Sequence, residues 1–381
     1  MISFMSNPLR LALSALTISL LLAQSALAQP FTVRAKSAIL GDVDSGAILF
    51  EQNADEVAAP ASLTKVMTLY ILYEAITNGD LTLDSTMMVS KKAWKMKGSK
   101  TFVKVGDRVR VEDLIRGIAV QSGNDASIVV AEHIAGSEAG FADLMNAKAM
   151  QLGMSQSHFA NASGFPAPNH YTTARDMLKL SSAFVANFPD LERYSQLKEF
   201  TYAGITQRNR NKLLWRDPTI TGLKTGHTDS AGYCLIATNE KDGQRLASVI
   251  MGAESSRVRE EEALRLLQYG NRTFETLRLF EAGQPVRSLR VWKGAEQTVN
   301  GVIRDSVVVT IPRKQRGSLE VGLRYDDPIV APVPQYAQLG SLVVKLGSES
   351  VVERPVVAAT AVEEGGLVTQ LLDAVRLQLG W

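Results

Sequence analysis

The sequence predicts an α+β protein in which one antiparallel sheet carries helices on its faces. A small β-sandwich domain and a C-terminal amphipathic helix are expected to follow. Three observations support this. Strand-like apolar runs lie at both ends of a helical middle region, and beyond about residue 280 short alternating runs are separated by Gly and Pro. Finally, residues 366–381 have most of their apolar side chains on one side of a helical wheel.

Composition sets the broad class. The chain has 381 residues, of which 45% are apolar and 21% charged, so we expect a folded globular protein of more than one domain. The formal charge of +2 is nearly neutral for this length and argues against a nucleic-acid partner.

The N-terminus has the order of a secretory signal. Arg10 precedes an apolar run from Leu11 to Leu22, and Ala26-Leu27-Ala28 has the small-x-small pattern of a cleavage site. The run is shorter than the ~20 apolar residues needed to cross a bilayer. We therefore expect residues 1–28 to be a signal peptide; the alternative is an uncleaved N-terminal anchor.

Cysteine and histidine usage predicts neither a disulfide nor a metal site. Cys234 is the only cysteine and lies in an apolar run, which favours a buried, inert thiol. The four histidines show no paired ligand spacing. We expect no metal and no cofactor.

The first strands and the first long helix can be placed from their patterns. Residues 37–40 and 47–50 are apolar runs around a turn in which Gly46 can take a positive φ, which predicts a hairpin. Residues 62–75 are nearly all apolar or small and follow Pro60. A helix that is apolar on every side belongs in the interior of a protein.

The remaining elements of the first domain follow the same reasoning. Helices are predicted at 112–121, 125–135, 138–152, 173–187 and about 257–279, with strands at 232–238 and 245–251. The predicted domain limits are 29–280 for the catalytic domain and 281–358 for the β-rich domain, with a linker and helix at 359–381.

The C-terminal helix has two interpretations. Leu367, Val368, Leu371, Leu372, Val375 and Leu379 share one side, whereas Leu377 falls among the polar residues. We favour an in-plane membrane anchor, because a terminal segment after a linker is poorly placed to complete a core. The alternative is a helix docked on its own protein.

Three short motifs occur in order: Ser62-Leu63-Thr64-Lys65, Ser122-Gly123-Asn124 and Lys224-Thr225-Gly226. Each is weak alone, but their places in the predicted fold give them chemical meaning. Lys65 lies three residues after Ser62 at the start of the buried helix, so the two side chains share a helical face. Burial and a neighbouring cation such as Lys224 would keep Lys65 partly neutral and able to take the serine proton.

The other two motifs supply polar groups to the same cleft. Ser122 and Asn124 lie between two predicted helices, where the hydroxyl can relay a proton to a leaving nitrogen and the amide can hold Lys65. Lys224 and Thr225 precede a strand, beside the side-chain-free Gly226. They suit a substrate carboxylate lying along a strand edge.

These motifs resemble those of the penicilloyl-serine transferases, the superfamily of penicillin-binding proteins and serine β-lactamases. The longer strings at 61–65, 121–126, 172–177 and 222–228 are similar to the low-molecular-weight D-alanyl-D-alanine carboxypeptidases of Gram-negative bacteria. The similarity runs from about Ser37 to the C-terminus. It implies a β-lactamase/transpeptidase-like fold, and a periplasmic enzyme held on the inner membrane that trims peptidoglycan pentapeptides and is acylated by β-lactams.

The resemblance also implies roles for single residues. Ser62 would carry the acyl group and Lys65 would accept its proton, with Ser122, Asn124 and Lys224 completing the proton network. The backbone N–H groups of Ser62 and His227 would form the oxyanion hole. Arg210 and Arg259 match arginines near the family's active site, and Arg259 would help to bind the terminal carboxylate.

Two departures from the family pattern bear on deacylation and substrate preference. The segment between Trp94 and Gly106 is shorter than in well-known members, and Ser163 stands where some relatives have histidine.

The alternative functions are a β-lactamase, a D-alanyl endopeptidase and a non-catalytic cell-wall-binding scaffold. Against the first, the region around 161–165 lacks the glutamate of class A β-lactamases. Against the scaffold, a pure binder has no use for a complete proton-transfer set.

Overall fold

The computed structural model describes residues 31–379, so the predicted signal peptide at 1–28 lies outside the described residues. The strands up to residue 253 are β1 (Ser37–Asp42), β2 (Ile48–Gln52), β3 (Thr86–Met88), β4 (Arg108–Arg110), β5 (Glu199–Tyr202), β6 (Ile205–Arg208), β7 (Ile220–Thr228), β8 (Gly232–Lys241) and β9 (Gln244–Ala253).

The helices are α1 (Lys65–Thr77), α2 (Lys91–Lys95), α3 (Val111–Arg116), α4 (Asn124–Ala135), α5 (Glu138–Gln151), α6 (Ala174–Asn187), α7 (Pro189–Glu192), α8 (Ser256–Thr273) and α9 (Leu367–Leu379). Short 3₁₀ turns lie at Ala61–Thr64, Arg193–Gln196, Lys212–Trp215 and Arg313–Ser318, and a π-turn at Gly117–Gln121.

The first domain is built on a five-stranded antiparallel sheet in the order β2-β1-β9-β8-β7. Its members come from both ends of the region, as the sequence predicted, and the hairpin around Gly46 is confirmed with φ = +73°. Among residues 31–379, β7 is the edge strand and pairs only with β8. That open edge faces the cleft described below.

Helices cover both faces of this sheet. A Cβ at Gly41 of β1 would meet Leu178 of α6, whereas the neighbouring Leu40 packs against Gly270 of α8. Because successive side chains of a strand point to opposite faces, α6 and α8 lie on opposite sides. All six residues of β1 are buried as a result.

The predicted buried helix is present, but Ser62 lies just before it. Residues 61–64 form a 3₁₀ turn, and the α-helix begins at Lys65. The residues from Lys65 to Tyr73 are all buried, in agreement with the all-apolar pattern. The turn leaves Ser62 half-buried while Lys65 is fully enclosed.

One helix prediction was wrong at its end. The helix expected to reach residue 279 stops at Thr273, and residues 274–280 form strand β10. β10 pairs with a later strand, β13, over most of its length. Its alternating sequence Phe-Glu-Thr-Leu-Arg-Leu-Phe has the period of a strand, which the helical pattern before it obscured.

The later strands are β11 (Pro285–Trp292), β12 (Thr298–Val302), β13 (Val307–Pro312), β14 (Leu319–Tyr325), β15 (Ile329–Val330), β16 (Gln338–Leu346) and β17 (Glu349–Ala358). Six of them form a sheet in the order β14-β16-β17-β12-β11-β15, and β10 pairs with β13. The β-rich character predicted after residue 280 is confirmed. The predicted boundary at 280 coincides with the end of β10 and stays a prediction.

Polar side chains join the five-stranded sheet to the β-rich part. The buried Asp42 carboxylate accepts a hydrogen bond from Thr276 Oγ1 at 2.5 Å, and Ser45 Oγ lies 2.6 Å from Thr310 Oγ1. Gln244 Nε2 also donates to Thr276. The hairpin turn of the first sheet is thus fixed to β10 and β13.

Candidate active site

Ser62 lies in the first turn of a short 3₁₀ helix that runs directly into α1. Lys65, three residues later, places its Nζ 3.0 Å from Ser62 Oγ. The predicted pairing of these two side chains on one helical face is therefore present. Backbone N–H groups in a first helical turn lack intrahelical partners, which leaves the N–H of Ser62 suited to an oxyanion.

The Lys65 amine is fully buried and has two further partners. Nζ donates to Asn124 Oδ1 at 2.7 Å and to the carbonyl oxygen of Ser163 at 2.5 Å. Carbonyl oxygens can only accept, and a neutral amine has two N–H donors. Once both are used on these carbonyls, the lone pair of neutral Lys65 is directed at the Ser62 hydroxyl.

Burial also lowers the pKa of Lys65. Loss of hydration is the main cause, and the positive charge of Arg210 adds to it, while Asp125 acts in the opposite direction; together they bring the pKa to about 7. Near neutral pH a substantial fraction of Lys65 is then unprotonated and able to take a proton. The sequence analysis named Lys224 as a neighbouring cation, and the charges of Lys224 and Lys65 do interact; Arg210 is a further cation that lowers the pKa of Lys65.

Asn124 is held by the segment that the sequence singled out as short. Its Nδ2 donates to the carbonyl of Lys97, and its backbone N–H donates to that of Ser99. The adjacent Asp125 carboxylate accepts N–H groups of residues 101, 102 and 103. The sequence reasoning gave Asp125 no role; its place in the first turn of α4 was the available signal.

Ser122 occupies a strained position at the end of the π-turn. It has φ = +65°, a left-handed conformation that is rare for serine, and only 2% of its surface is exposed. Within residues 31–379 its hydroxyl has no hydrogen-bond partner. A buried, unpaired hydroxyl that lines the same cleft as Ser62 is free to bond to a bound substrate.

The third motif lies on the edge strand β7. Lys224 is buried and its Nζ donates to the carbonyl of Thr225, while Thr225, Gly226 and His227 line the cleft. Burial lowers the pKa of Lys224, and the charge of Lys65 lowers it further. A Cβ at Gly226 would lie 3.2 Å from the backbone nitrogen of Ser62, so glycine lets β7 approach the serine closely.

The cleft extends on both sides of Ser62. One arm, of about 440 Å³, is lined by Arg210, Lys212 and Arg259, and the other, of about 500 Å³, by Asn124, Ser163 and Phe165. Arg259 also donates to the carbonyl of Gly226, and Arg210 contacts Gln121. Eight of the ten predicted site residues thus line this cleft, whose cations are concentrated on one side, while Lys65 and Lys224 are buried.

A buried contact behind Ser62 was not predicted. His170 Nδ1 accepts the N–H of Ala160, so its Nε2 carries the hydrogen and donates to Thr64 Oγ1 at 2.8 Å. Burial lowers the pKa of His170 to about 4, so the ring is neutral. Thr64 in turn donates to the carbonyl of Ala61, which fixes the turn that carries the serine. The isolated position of His170 in the sequence gave no sign of this.

Gly164 is required beside the same turn. It has φ = +76°, and a Cβ there would lie 1.8 Å from the carbonyl oxygen of Ala61. The preceding residue, Ser163, provides the carbonyl that binds Lys65. Cys234 is buried in β8, and burial raises the pKa of its thiol to about 11, in line with the expected inert role.

Two family models match the chain. A D-alanyl-D-alanine carboxypeptidase model of the peptidase S11 family matches residues 23–255, and a model described as penicillin-binding protein 5, C-terminal domain, matches residues 274–364. The D-alanyl-D-alanine carboxypeptidase DacC of Escherichia coli K12 is 38% identical over 355 residues, which cover 91% of this chain and 89% of that protein.

Solved structures agree with these matches. Penicillin-binding protein 5 from Haemophilus influenzae superposes with a TM-score of 0.83 at 34% identity, over 88% of this chain and 99% of that one. Penicillin-binding protein D2 from Listeria monocytogenes, in its cefotaxime-bound form, has a TM-score of 0.58 at 31% identity, over 63% of this chain and 98% of that one.

The low pKa of the buried Lys65 amine leads to a prediction about the pH dependence of Ser62 acylation. If neutral Lys65 takes the serine proton, labelling of Ser62 by a fluorescent penicillin should slow as pH falls through about 7, because the amine becomes protonated. The rate constant should be about tenfold lower at pH 6 than at pH 8. Stopped-flow fluorescence would measure it.

Two variants test the cause of that profile. Arg210→Gln removes a positive charge that acts on Lys65, so the midpoint should move to higher pH. Lys212→Gln removes a cation from the same arm that is not among the charges acting on Lys65, so the midpoint should stay in place. A rate that does not change between pH 6 and pH 8 would contradict this assignment.

Proposed function

Because the chain belongs to the peptidase S11 family of D-alanyl-D-alanine carboxypeptidases and has that activity, we propose that it acts through an acyl-enzyme on Ser62. The substrate is the D-Ala-D-Ala terminus of a peptidoglycan pentapeptide, and the product is the peptide shortened by one D-alanine. The observation that carries this proposal is the 3.0 Å approach of Lys65 Nζ to Ser62 Oγ inside a buried site.

In the first step Lys65 accepts the Ser62 proton while Oγ attacks the carbonyl carbon of the penultimate residue. The negative charge that develops on the carbonyl oxygen is stabilised by the backbone N–H groups of Ser62 and His227. Asn124 holds the Lys65 amine in position through its side-chain oxygen. This oxygen is an acceptor, so the amine keeps its lone pair on the serine side.

Collapse of the tetrahedral intermediate requires a proton on the leaving nitrogen. Ser122 is suited to relay it, since its buried hydroxyl has no other partner among residues 31–379. Lys224, whose pKa is lowered by burial and by the charge of Lys65, also takes part in this proton transfer. Terminal D-alanine then leaves, and water hydrolyses the ester on Ser62 to restore the enzyme.

The cationic arm of the cleft fits the free carboxylate that only a chain terminus provides. Arg210 and Arg259 supply the charge, and Thr225 and Gly226 lie on the open edge of β7. A peptide pairing along that edge would carry its carboxylate toward the guanidinium groups. This arrangement favours a carboxypeptidase over an endopeptidase. Acylation by β-lactams would use the same carboxylate contacts.

We further propose that the protein is exported by residues 1–28, cleaved after Ala28, and attached to the periplasmic face of the inner membrane by α9. The part of the chain that the structure describes contains no helix long and apolar enough to cross a membrane. The support for attachment comes from the orientation of α9. Leu371 and Val375 are 68% and 55% exposed.

The other side of α9 packs on the β-rich domain. Asp373 is buried and accepts the N–H of Lys293 at 2.8 Å, and Gln370 donates to the carbonyl of Gly365. The helix therefore docks by its polar side and leaves its apolar side to solvent, the reverse of a helix that completes a core. An apolar side exposed in this way suits insertion into a membrane interface.

Removal of the nucleophile tests the chemistry. Ser62→Ala should reduce release of D-alanine from a synthetic pentapeptide by at least about a thousandfold, because it removes the hydroxyl to which Lys65 Nζ is hydrogen-bonded. Ser155→Ala, at an exposed serine outside the cleft, should retain full activity. D-alanine would be measured with a D-amino-acid oxidase assay, and circular dichroism would check folding. Normal turnover by folded Ser62→Ala would disprove the assignment.

Charges on the apolar side of α9 test the attachment. Leu371→Asp/Val375→Asp should weaken binding to phosphatidylcholine vesicles about a hundredfold, because both side chains would otherwise be buried in lipid. Activity on a soluble peptide should not change. The matched control, Leu144→Asp/Met150→Asp, places charges at exposed apolar positions of α5 and should bind normally. Equal sedimentation of both double variants with vesicles would exclude an anchor in α9.

A further inference from the structure

A second cavity lies in the β-rich domain beside α9. This groove of about 490 Å³ shares no lining residue with the catalytic cleft. β11 contributes Arg287 and Arg290, and Tyr325 and Asp327 come from the end of β14 and the loop after it. Leu377 of α9 also lines it, which explains why this leucine departs from the apolar side of the helix.

The two arginines in the groove are held by aromatic rings and not by acids. The guanidinium carbon of Arg290 lies 3.5 Å from the ring centroid of Trp292, and that of Arg287 lies 5.9 Å from the ring of Tyr325. Among the described residues, 31–379, neither side chain forms a hydrogen bond or an ion pair. A guanidinium that stacks through its face keeps the N–H donors at its edge available for an anion.

The groove carries the positive charge that α9 lacks. Asp373 and Arg376 are the charged residues of the helix and lie 3.5 Å apart, so they offset each other. The groove has two arginines against one carboxylate, Asp327. Its net charge is therefore positive at the flank of a helix whose apolar side is exposed.

We propose that this groove binds the phosphate of an anionic membrane lipid, with Arg287 and Arg290 as its donors. The inference rests on the proposed attachment of α9, because insertion of the apolar side brings the flank of the helix to the level of the headgroups. Arg pairs suit phosphate oxygens, which accept parallel N–H bonds. The contact with Leu377 favours a lipid over free phosphate, since it gives the acyl region an apolar neighbour. The groove would then set lipid preference, and the apolar side of α9 would supply the affinity common to all lipids.

The test uses the full chain and vesicles of phosphatidylcholine with or without 30% phosphatidylglycerol, a composition chosen for about physiological surface charge. The wild-type protein should bind the anionic vesicles about tenfold more tightly than the neutral ones. Arg287→Gln/Arg290→Gln should lose this difference and keep its binding to neutral vesicles. Arg313→Gln/Arg354→Gln removes the same charge from exposed sites outside the groove and should keep the difference. Equal effects of the two double variants would overturn the proposal.

A second experiment, in solution, distinguishes binding in the groove from attachment by α9. It also distinguishes binding of a lipid from binding of free phosphate. Short-chain dihexanoyl phosphatidylglycerol, below its micelle concentration, is titrated into the full chain by calorimetry, beside inorganic phosphate. Saturable binding of the lipid that requires Arg287 and Arg290 supports the groove, even if vesicle binding fails and the anchor is rejected. Equal affinity for inorganic phosphate would overturn the lipid assignment, and lipid binding that is unchanged in the double variant would overturn the site. Labelling of Ser62 by penicillin confirms that each variant is folded.

Discussion

The burial of Lys65 is the constraint on which the active site depends. A lysine exposed to water would be protonated at neutral pH and could not accept the Ser62 proton. Enclosure by α1 and its neighbours lowers the pKa, and the carbonyl oxygens of Asn124 and Ser163 satisfy the two N–H groups that a neutral amine retains. The Asn124 carbonyl is held in place because the adjacent Asp125 carboxylate accepts backbone N–H groups of the neighbouring segment. The Ser163 carbonyl is held by the tight turn at Gly164. Much of the surrounding structure therefore serves to hold one uncharged amine at 3.0 Å from one hydroxyl.

The β-rich domain contacts both the first sheet and α9, the helix by which we propose that the protein is attached to the membrane. The hydrogen bonds Thr276–Asp42 and Thr310–Ser45 join the domain to the hairpin turn of the first sheet. At the other end, Asp373 binds the backbone of Lys293 and turns the apolar side of α9 outward. The buried Asp373 carboxylate and the Gln370 amide thus hold the helix in this orientation. The proposed lipid groove adds to this an electrostatic preference that the helix, with balanced charges, does not have.

Sequence patterns predicted the parts of the fold that are determined by the local spacing of apolar residues. The short apolar runs of β1, β2, β8 and β9 and the long apolar run of α1 are local features, and all were found as expected. The end of α8 was missed because a strand follows it without any turn residue. The motif residues around Ser62 could be placed together because three spaced motifs fit one fold. His170 and the carbonyl of Ser163 could not, since a neutral ring and a backbone oxygen acquire their roles from tertiary contacts alone. Arg210 was recognised by resemblance, but its effect on Lys65 depends on a distance that no spacing encodes.

Titration of the Lys65 side chain would show whether this residue is neutral and able to act as a base at the pH at which the enzyme works. Lysine labelled with ¹³C and ¹⁵N in the full chain would give an Nζ/Cε signal for residue 65, identified by its loss in Lys65→Arg. Unlike a rate profile, this signal reports one amine and is separate from that of Lys224. If Lys65 is the neutral base, the midpoint should lie near 7. A midpoint near the ordinary lysine value of 10.5 would contradict it, because Lys65 would then be charged when the enzyme works.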